Sequence, residues 1–482
     1  MATDWKEVTP MKERNYVNMQ VNPCKMCMPM GAAQAMKGIK KSMTIIHGSQ
    51  GCSTYIRRHM AAHYNEPVDI ASSSLSEEGT VYGGARNLKI GLTNMVKMYK
   101  PEVVGVLTTC LAETIGDDIE RIVKEVRGLE GLEGVDIIPI PTPGYSASET
   151  EGYFKAVKSM LQFYSNQLKE EEMPVIKGDY INIVVSEATC EDIREIKRIV
   201  TLCGIQAIIV PDISDVLDAP YTESFDKLHS EGTSREEIKA MLGAKATLEL
   251  GDLVADHYSP ALFLEETHGV RAYRLPLPIG VSNTDQFIEV LAAVSNKAIP
   301  ESIKGDRGRL LDGMIDSHKH SALGRVAVYG EMNLVYSIAA LMAENGVKVK
   351  TVMTGATSKK FKEAMKVLDE TYNLACHIMQ DSDFETLRQV IAEKDVNLMI
   401  GNSNGKFIWE KDGIDLIRVG FPVHDHIGAQ RKLRFGYKGS MRLLDEVVNK
   451  LLDQKHVNYK SRMYKAYYPG QQTEEVTTWE IS

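Results

Sequence analysis

The chain is 482 residues long, too long for one hydrophobic core, so roughly two to four domains are expected. Its 43% hydrophobic and 25% charged residues are ordinary for a globular protein, and 56 basic against 65 acidic side chains leave a net charge of −9. That balance argues against nonspecific nucleic-acid binding, which needs a basic surplus to displace counterions, and the absence of an apolar run of about 18 residues argues against a membrane span.

The first residues, Met1 to Tyr16, lack the apolar core of a secretory signal, so a cytoplasmic location with reduced cysteines is expected. Further along, apolar runs read as strands at Met43–Ile46, Val103–Leu107 and Ile137–Ile140. Ile181–Val185 and Gln206–Val210 follow, then Val326–Tyr329, Val349–Met353 and Val396–Ile400. Between them Ala85–Tyr99, Glu191–Leu202, Leu334–Asn345 and Asp383–Glu393 carry apolar residues at helical spacing. Continuous apolar strands alternating with helices predict an α/β protein of three doubly wound, Rossmann-like parallel-sheet domains. The polar run Lys169–Pro174 and the Pro- and Gly-containing stretch Ala298–Arg309 read as linkers. They divide the chain into 1–175, 176–305 and 306–455, with a tail extension at 456–482 suited to packing on a partner.

Seven cysteines occupy positions 24, 27, 52, 110, 190, 203 and 376, four of them within the first 110 residues. Cys52 follows the first strand in His47-Gly-Ser-Gln-Gly-Cys52, where Gly48 and Gly51 permit a tight turn into a helix. Cys110 follows the second strand in Thr108-Thr109-Cys110, again where a helix should begin. Cys27 precedes Pro29, a residue suited to a first helical turn. Loops at the carboxyl ends of parallel strands share one edge, and a helix start favours the thiolate that binds metal. Three thiolates on such an edge suit an iron–sulfur cluster. Zinc competes, although it prefers four local ligands, and isolated buried thiols would also satisfy the spacing. Cys190, Cys203 and Cys376 lie in or beside helical segments and read as core thiols.

Other motifs point to structure. Ser76 before Glu77 and Glu78 reads as a helix cap within the polar stretch Ser72–Gly79. Arg57 and Arg58, about one turn after the cysteine loop, read equally as groups meeting a partner or a cluster and as a solvated or salt-bridged helix face, while His424-Asp425-His426 reads as a structural loop. There is no Walker loop and no glycine-rich dinucleotide turn, so any ATP hydrolysis belongs to another protein.

The segments Asn22–Ala32, His47–Cys52 and Thr108–Asp118 resemble the beta-type subunits of the nitrogenase component-one superfamily. Gly401–Lys406, Gly420–Asp425 and Gly436–Gly439 match in the same order, so the resemblance spans nearly the whole chain. It implies nitrogen-fixation chemistry of the oxidoreductase type, with three α/β domains and a cluster held at a subunit interface by Cys27, Cys52 and Cys110. It also implies an alpha-like partner in an alpha2-beta2 heterotetramer, and an ATP-dependent iron protein as electron donor. Within the superfamily, Cys52–Arg58 and Glu66–Ser74 look most like the subunits of the scaffold on which the iron–molybdenum cofactor is matured, its precursor held mainly by the partner. Catalytic beta subunits commonly supply a serine oxygen after a Thr-Pro pair. Here Thr142-Pro143 is followed by Gly144, with Ser146 two residues later, so a four-iron cluster is the simpler expectation and an eight-iron P-cluster-like one stays open.

Overall fold

The computed structural model describes residues 24–127, 131–171, 174–223 and 226–467. Three parallel sheets follow one another along the chain, each covered by helices. The first has the order β2-β1-β3-β4, with β1 at Ser42–His47, β2 at Ala71–Ser72, β3 at Val103–Thr108 and β4 at Asp136–Ile140. The second has the order β6-β5-β7-β8: β5 is Ile181–Val185, β6 Ala207–Val210, β7 Ala246–Leu250 and β8 Arg271–Leu275. The third has the order β11-β10-β9-β12-β13: β9 is Arg325–Gly330, β10 Lys348–Thr354, β11 His377–Gln380, β12 Leu398–Gly401 and β13 Asp415–Arg418. The central strands β1, β3, β5 and β7 are buried along their whole length, because helices lie on both faces of each sheet. The strand order reverses between β1 and β3, between β5 and β7, and between β9 and β12. Each reversal opens a crevice at the carboxyl ends of the strands.

The first domain carries the helices α1 (Met28–Lys37), α2 (Gln50–Tyr64), α3 (Glu77–Tyr82), α4 (Ala85–Tyr99), α5 (Cys110–Thr114), α6 (Ile119–Val126) and α7 (Glu149–Glu170). At the start of α7, Glu151 reaches back to accept a hydrogen bond from Ser148 N at 2.8 Å. Helices α1 and α7 cross in direct backbone contact. A Cβ on Gly31 would stand 1.8 Å from Glu149 O, and one on Gly152 would stand 2.0 Å from Met28 O. No side chain fits at either position.

Two expectations are corrected. The stretch Ala298–Arg309 is not an open linker, because Glu301–Ser321 is a single helix that runs through Gly305 and Gly308. Pro300 stands at its N-cap, where a missing N–H costs nothing, and packing against the helix Gly436–Tyr467, with Gly313 facing Met441, outweighs the low helix propensity of glycine. That last helix also continues through Gln454, where the apolar periodicity fades, as far as Tyr467. The remainder of the expected tail, 468–482, lies outside the described residues, as does Asn22-Pro23 of the first matching segment.

Candidate metal centre

Each of the three cysteines is placed by a helix start. Cys27 is the N-cap of α1, with extended backbone, and its segment bridges to Ser148 ahead of α7. Cys52 lies in the first turn of α2, whose cap Ser49 accepts from Gly51 N at 3.2 Å. Cys110 opens α5 directly after β3. Since β1 and β3 are neighbours at the first reversal of strand order, their two cysteine loops leave the sheet side by side. The loops touch: Thr109 N donates to His47 O at 3.1 Å, and a Cβ on Gly48 would stand 2.0 Å from Thr109 Oγ1. Glycine at 48 is a steric requirement of that contact.

Gly144, after β4, closes the cleft from the third side. A Cβ there would lie 3.2 Å from Cys110 Sγ and 3.4 Å from Cys27 Cβ, so its hydrogen leaves a small recess between two of the thiols. Cys52 is close enough to raise the Cys27 pKa, and Cys110 that of Cys52. The Ser146 hydroxyl donates to Pro143 O at 2.8 Å and lies 3.4 Å from Met28 Sδ. Cys27 and Cys52 are half-buried, and Cys110 is exposed.

Burial pushes the Cys27 thiol up to about 11, against the opposing pull of Met30 N, and burial also raises Cys52. At Cys27 and Cys52 the loss of solvation outweighs the backbone N–H groups that would favour the thiolate. Deprotonation would then accompany metal binding itself. The donor set fits an iron–sulfur group: three soft thiols reach one partly open cleft with a recess at its floor. It does not fit a compact single-ion site, because among the described residues no three His, Cys, Asp or Glu side chains stand close enough to hold one metal ion.

Cys24 points away from this cleft. It is buried in the core of the third sheet, where Gly355 packs against its backbone, and burial raises its thiol strongly. Cys190 and Cys203 are buried and Cys376 half-buried. Ser76 caps α3, and Arg57 and Arg58 are exposed on α2. In the loop His424-Asp425-His426, Asp425 bonds Ser403 and Arg418, and His424 N donates to Ser403 Oγ at 3.1 Å. The loop is structural.

A residue overlooked in the sequence is His47. Gly48 N donates to Ser73 Oγ at 3.0 Å, which leaves the Ser73 hydroxyl proton for His47 Nδ1 at 2.9 Å. His47 Nε2 therefore donates to Asp117 Oδ2 at 3.0 Å, and Asp117 also accepts from Gly84 N. This buried chain joins the end of β1 to the loops before α4 and after α5, and so fixes the Cys52 and Cys110 loops together. Burial lowers the His47 pKa despite Asp117. Its one sequence signal is position, a polar residue ending an apolar strand.

Residues 27–452 match the family described as Nitrogenase component 1 type Oxidoreductase, and the chain belongs to that family. Within it, the chain is similar to nitrogenase molybdenum-iron protein beta chains. The one from Bradyrhizobium diazoefficiens is 33% identical over 463 residues, covering 94% of this chain and 88% of that one. The one from Clostridium pasteurianum is 34% identical over 449 residues, covering 93% and 96%. The solved nitrogenase Cp1 at pH 6.5 superposes with a TM-score of 0.86 at 33% identity, over 92% of this chain and 95% of that chain. Among the described residues no helix is long and apolar enough to cross a membrane.

Proposed function

We propose that this chain is the beta-like subunit of a nitrogenase cofactor-maturation scaffold, of the NifN type. Cys27, Cys52 and Cys110 hold an iron–sulfur cluster at the interface with an alpha-like, NifE-type partner in an alpha2-beta2 heterotetramer. The cluster, when bound, supplies one-electron transfer from an ATP-dependent iron protein toward a cofactor precursor held mainly by the partner. This chain's own residues position the thiols, through the α1, α2 and α5 starts, and exclude water from the inner side of the cleft. No side chain acts as an acid or base. The observation that favours the scaffold is Gly144: it has no side-chain oxygen to place in the recess between Cys27 and Cys110, and the Ser146 hydroxyl two residues later donates to Pro143 O. Three thiols without that oxygen suit a four-iron cluster.

The second reading is a catalytic beta subunit, favoured by the names of the relatives at 33–34% identity. Anaerobic co-purification with the neighbouring alpha-like subunit, with iron and sulfide counting, EPR and acetylene reduction, separates the two. A brown complex carrying four irons at the interface and inert toward acetylene is the expected result. Sustained acetylene turnover with the iron protein would overturn the scaffold reading.

A further inference from the structure

A second polar site lies where the three sheets meet. A cavity of about 60 Å³ there takes one carboxylate from each domain. Glu149 opens α7, Glu187 follows β5, and Glu331 follows β9. The last two positions are the carboxyl ends of strands at reversals of strand order, the place where doubly wound sheets bind ligands.

The cavity is short of donors. Thr150 Oγ1 stands 2.8 Å from Glu187 Oε1 and 2.8 Å from Glu331 Oε2, yet its single proton can serve only one of them. Glu149 Oε2 and Ser186 Oγ, on residues only 5% and 1% exposed, have no hydrogen-bond partner, although the Gln34 amide lies close enough to Glu149 to ease its charge. The cations on the wall are committed elsewhere: Arg434 to Asp192, Arg418 to Asp425 and Lys432 to Glu446. Glu187 is satisfied by Asn333 Nδ2 and Leu334 N, both at 2.8 Å, so it is Glu149 and Glu331 that face the space without a cation of their own. Aromatic rings also line the cavity, with Tyr64 and Phe421 stacked at 6.4 Å between centroids.

A buried carboxyl without a partner either keeps its proton or pairs with a cation, and an occupant that supplies charge and donors can take the proton's place. Aromatic faces favour a flat cation over an inorganic one, and no three ligating side chains here meet the geometry of a metal ion. We propose that the three-domain cavity binds one small organic cation of the amidinium or alkylammonium class, its N–H groups donating to Glu149 and Glu331 and its apolar face lying on Tyr64 and Phe421.

The test uses the full chain co-purified with its partner, titrated calorimetrically with acetamidinium and with its neutral isostere acetamide. The expected result is one acetamidinium per chain with a Kd at or below about 1 mM, and acetamide weaker by at least about tenfold. The double variant Glu149→Gln/Glu331→Gln should weaken acetamidinium by a similar factor, and the milder Ser186→Ala by less. Absence of acetamidinium binding up to about 10 mM, or equal binding of acetamide, would overturn the assignment and leave the cavity to water. Should the double variant fail to fold, the cation-against-amide comparison on the unaltered chain decides alone.

Discussion

Arg418 and Asp425 bury opposite charges together, their side chains only 8% and 10% exposed. Although burial opposes ionisation, Arg418 and Ser403 hold the Asp425 carboxyl down at about 2. Its folded value is thus depressed, so its contribution is complete above the ordinary aspartate range and is lost as pH falls through about 2. Asp425→Asn strands the guanidinium and should cost about 3 kcal/mol in urea unfolding at neutral pH. The gap from the unaltered chain should hold from neutrality to about pH 4 and close toward pH 2. A different result is expected at the cleft. Cys52→Ala removes a half-buried thiol at a helix start, so iron per heterodimer should fall while the melting temperature of the metal-free chain moves by no more than a few degrees. Unchanged iron would remove Cys52 from the ligand set. At this scale the cysteine loops were legible because glycine, cysteine and strand end fall together in sequence. The His47-Ser73-Asp117 chain was not, because hydrogen bonding across separations of 26 and 70 residues leaves no local pattern.

Among the elements, α1 and α7 set the tolerance of the cleft. Their backbones meet at Gly31 and Gly152, and α1 carries Cys27 at its cap. Gly31→Ala places a methyl on a carbonyl oxygen that cannot retreat without moving α7. A loss of about 1–3 kcal/mol is expected, together with weaker iron retention than at a surface Gly→Ala control such as Gly308. Equal iron retention in the two would show that the helix crossing does not govern the site. Apolar strands of the central type were read correctly, as at Ile181–Val185, because burial on both faces leaves an unbroken apolar run. Strands β7 and β8 escaped notice because charged residues interrupt them. Glu249 in β7 is fully buried, paired with Arg274 of β8 at 2.6 Å, and only the tertiary partner explains its presence in a strand. The helix at Glu301–Ser321 escaped for the opposite reason, its glycines making a packed element look like a loop.

At the scale of the whole molecule, the three domains are joined through acidic residues. Glu331 is raised to about 7, chiefly by burial and then by the charge of Glu187, with Thr150 opposing and Glu151 adding to the rise. Glu149 is raised in the same way. Between the ordinary glutamate value and about 7 the folded chain therefore binds more protons than the unfolded one. Stability from this group is complete below the ordinary value and is lost as pH rises through about 7. Thermal unfolding of the metal-free chain should show a falling melting temperature across that window. Glu331→Gln, which imitates the protonated form, should flatten the slope and melt above the unaltered chain at pH 8. A steeper slope in the variant would contradict the pairing. None of this junction could be read from the sequence: Glu149, Glu187 and Glu331 are far apart in the chain, and nothing in their neighbours marks them as companions.

Cys27, Cys52 and Cys110, the recess at Gly144 and the helix that braces Cys27 all lie before residue 171, ahead of the second and third sheets in the chain. The cysteine-bearing edge and Glu149 can therefore take shape during translation before Glu187 and Glu331, the other two carboxylates of the central junction, exist. On the proposed function, the three thiols would then be displayed on a nascent polypeptide, and the timing of partner capture would matter as much as its affinity.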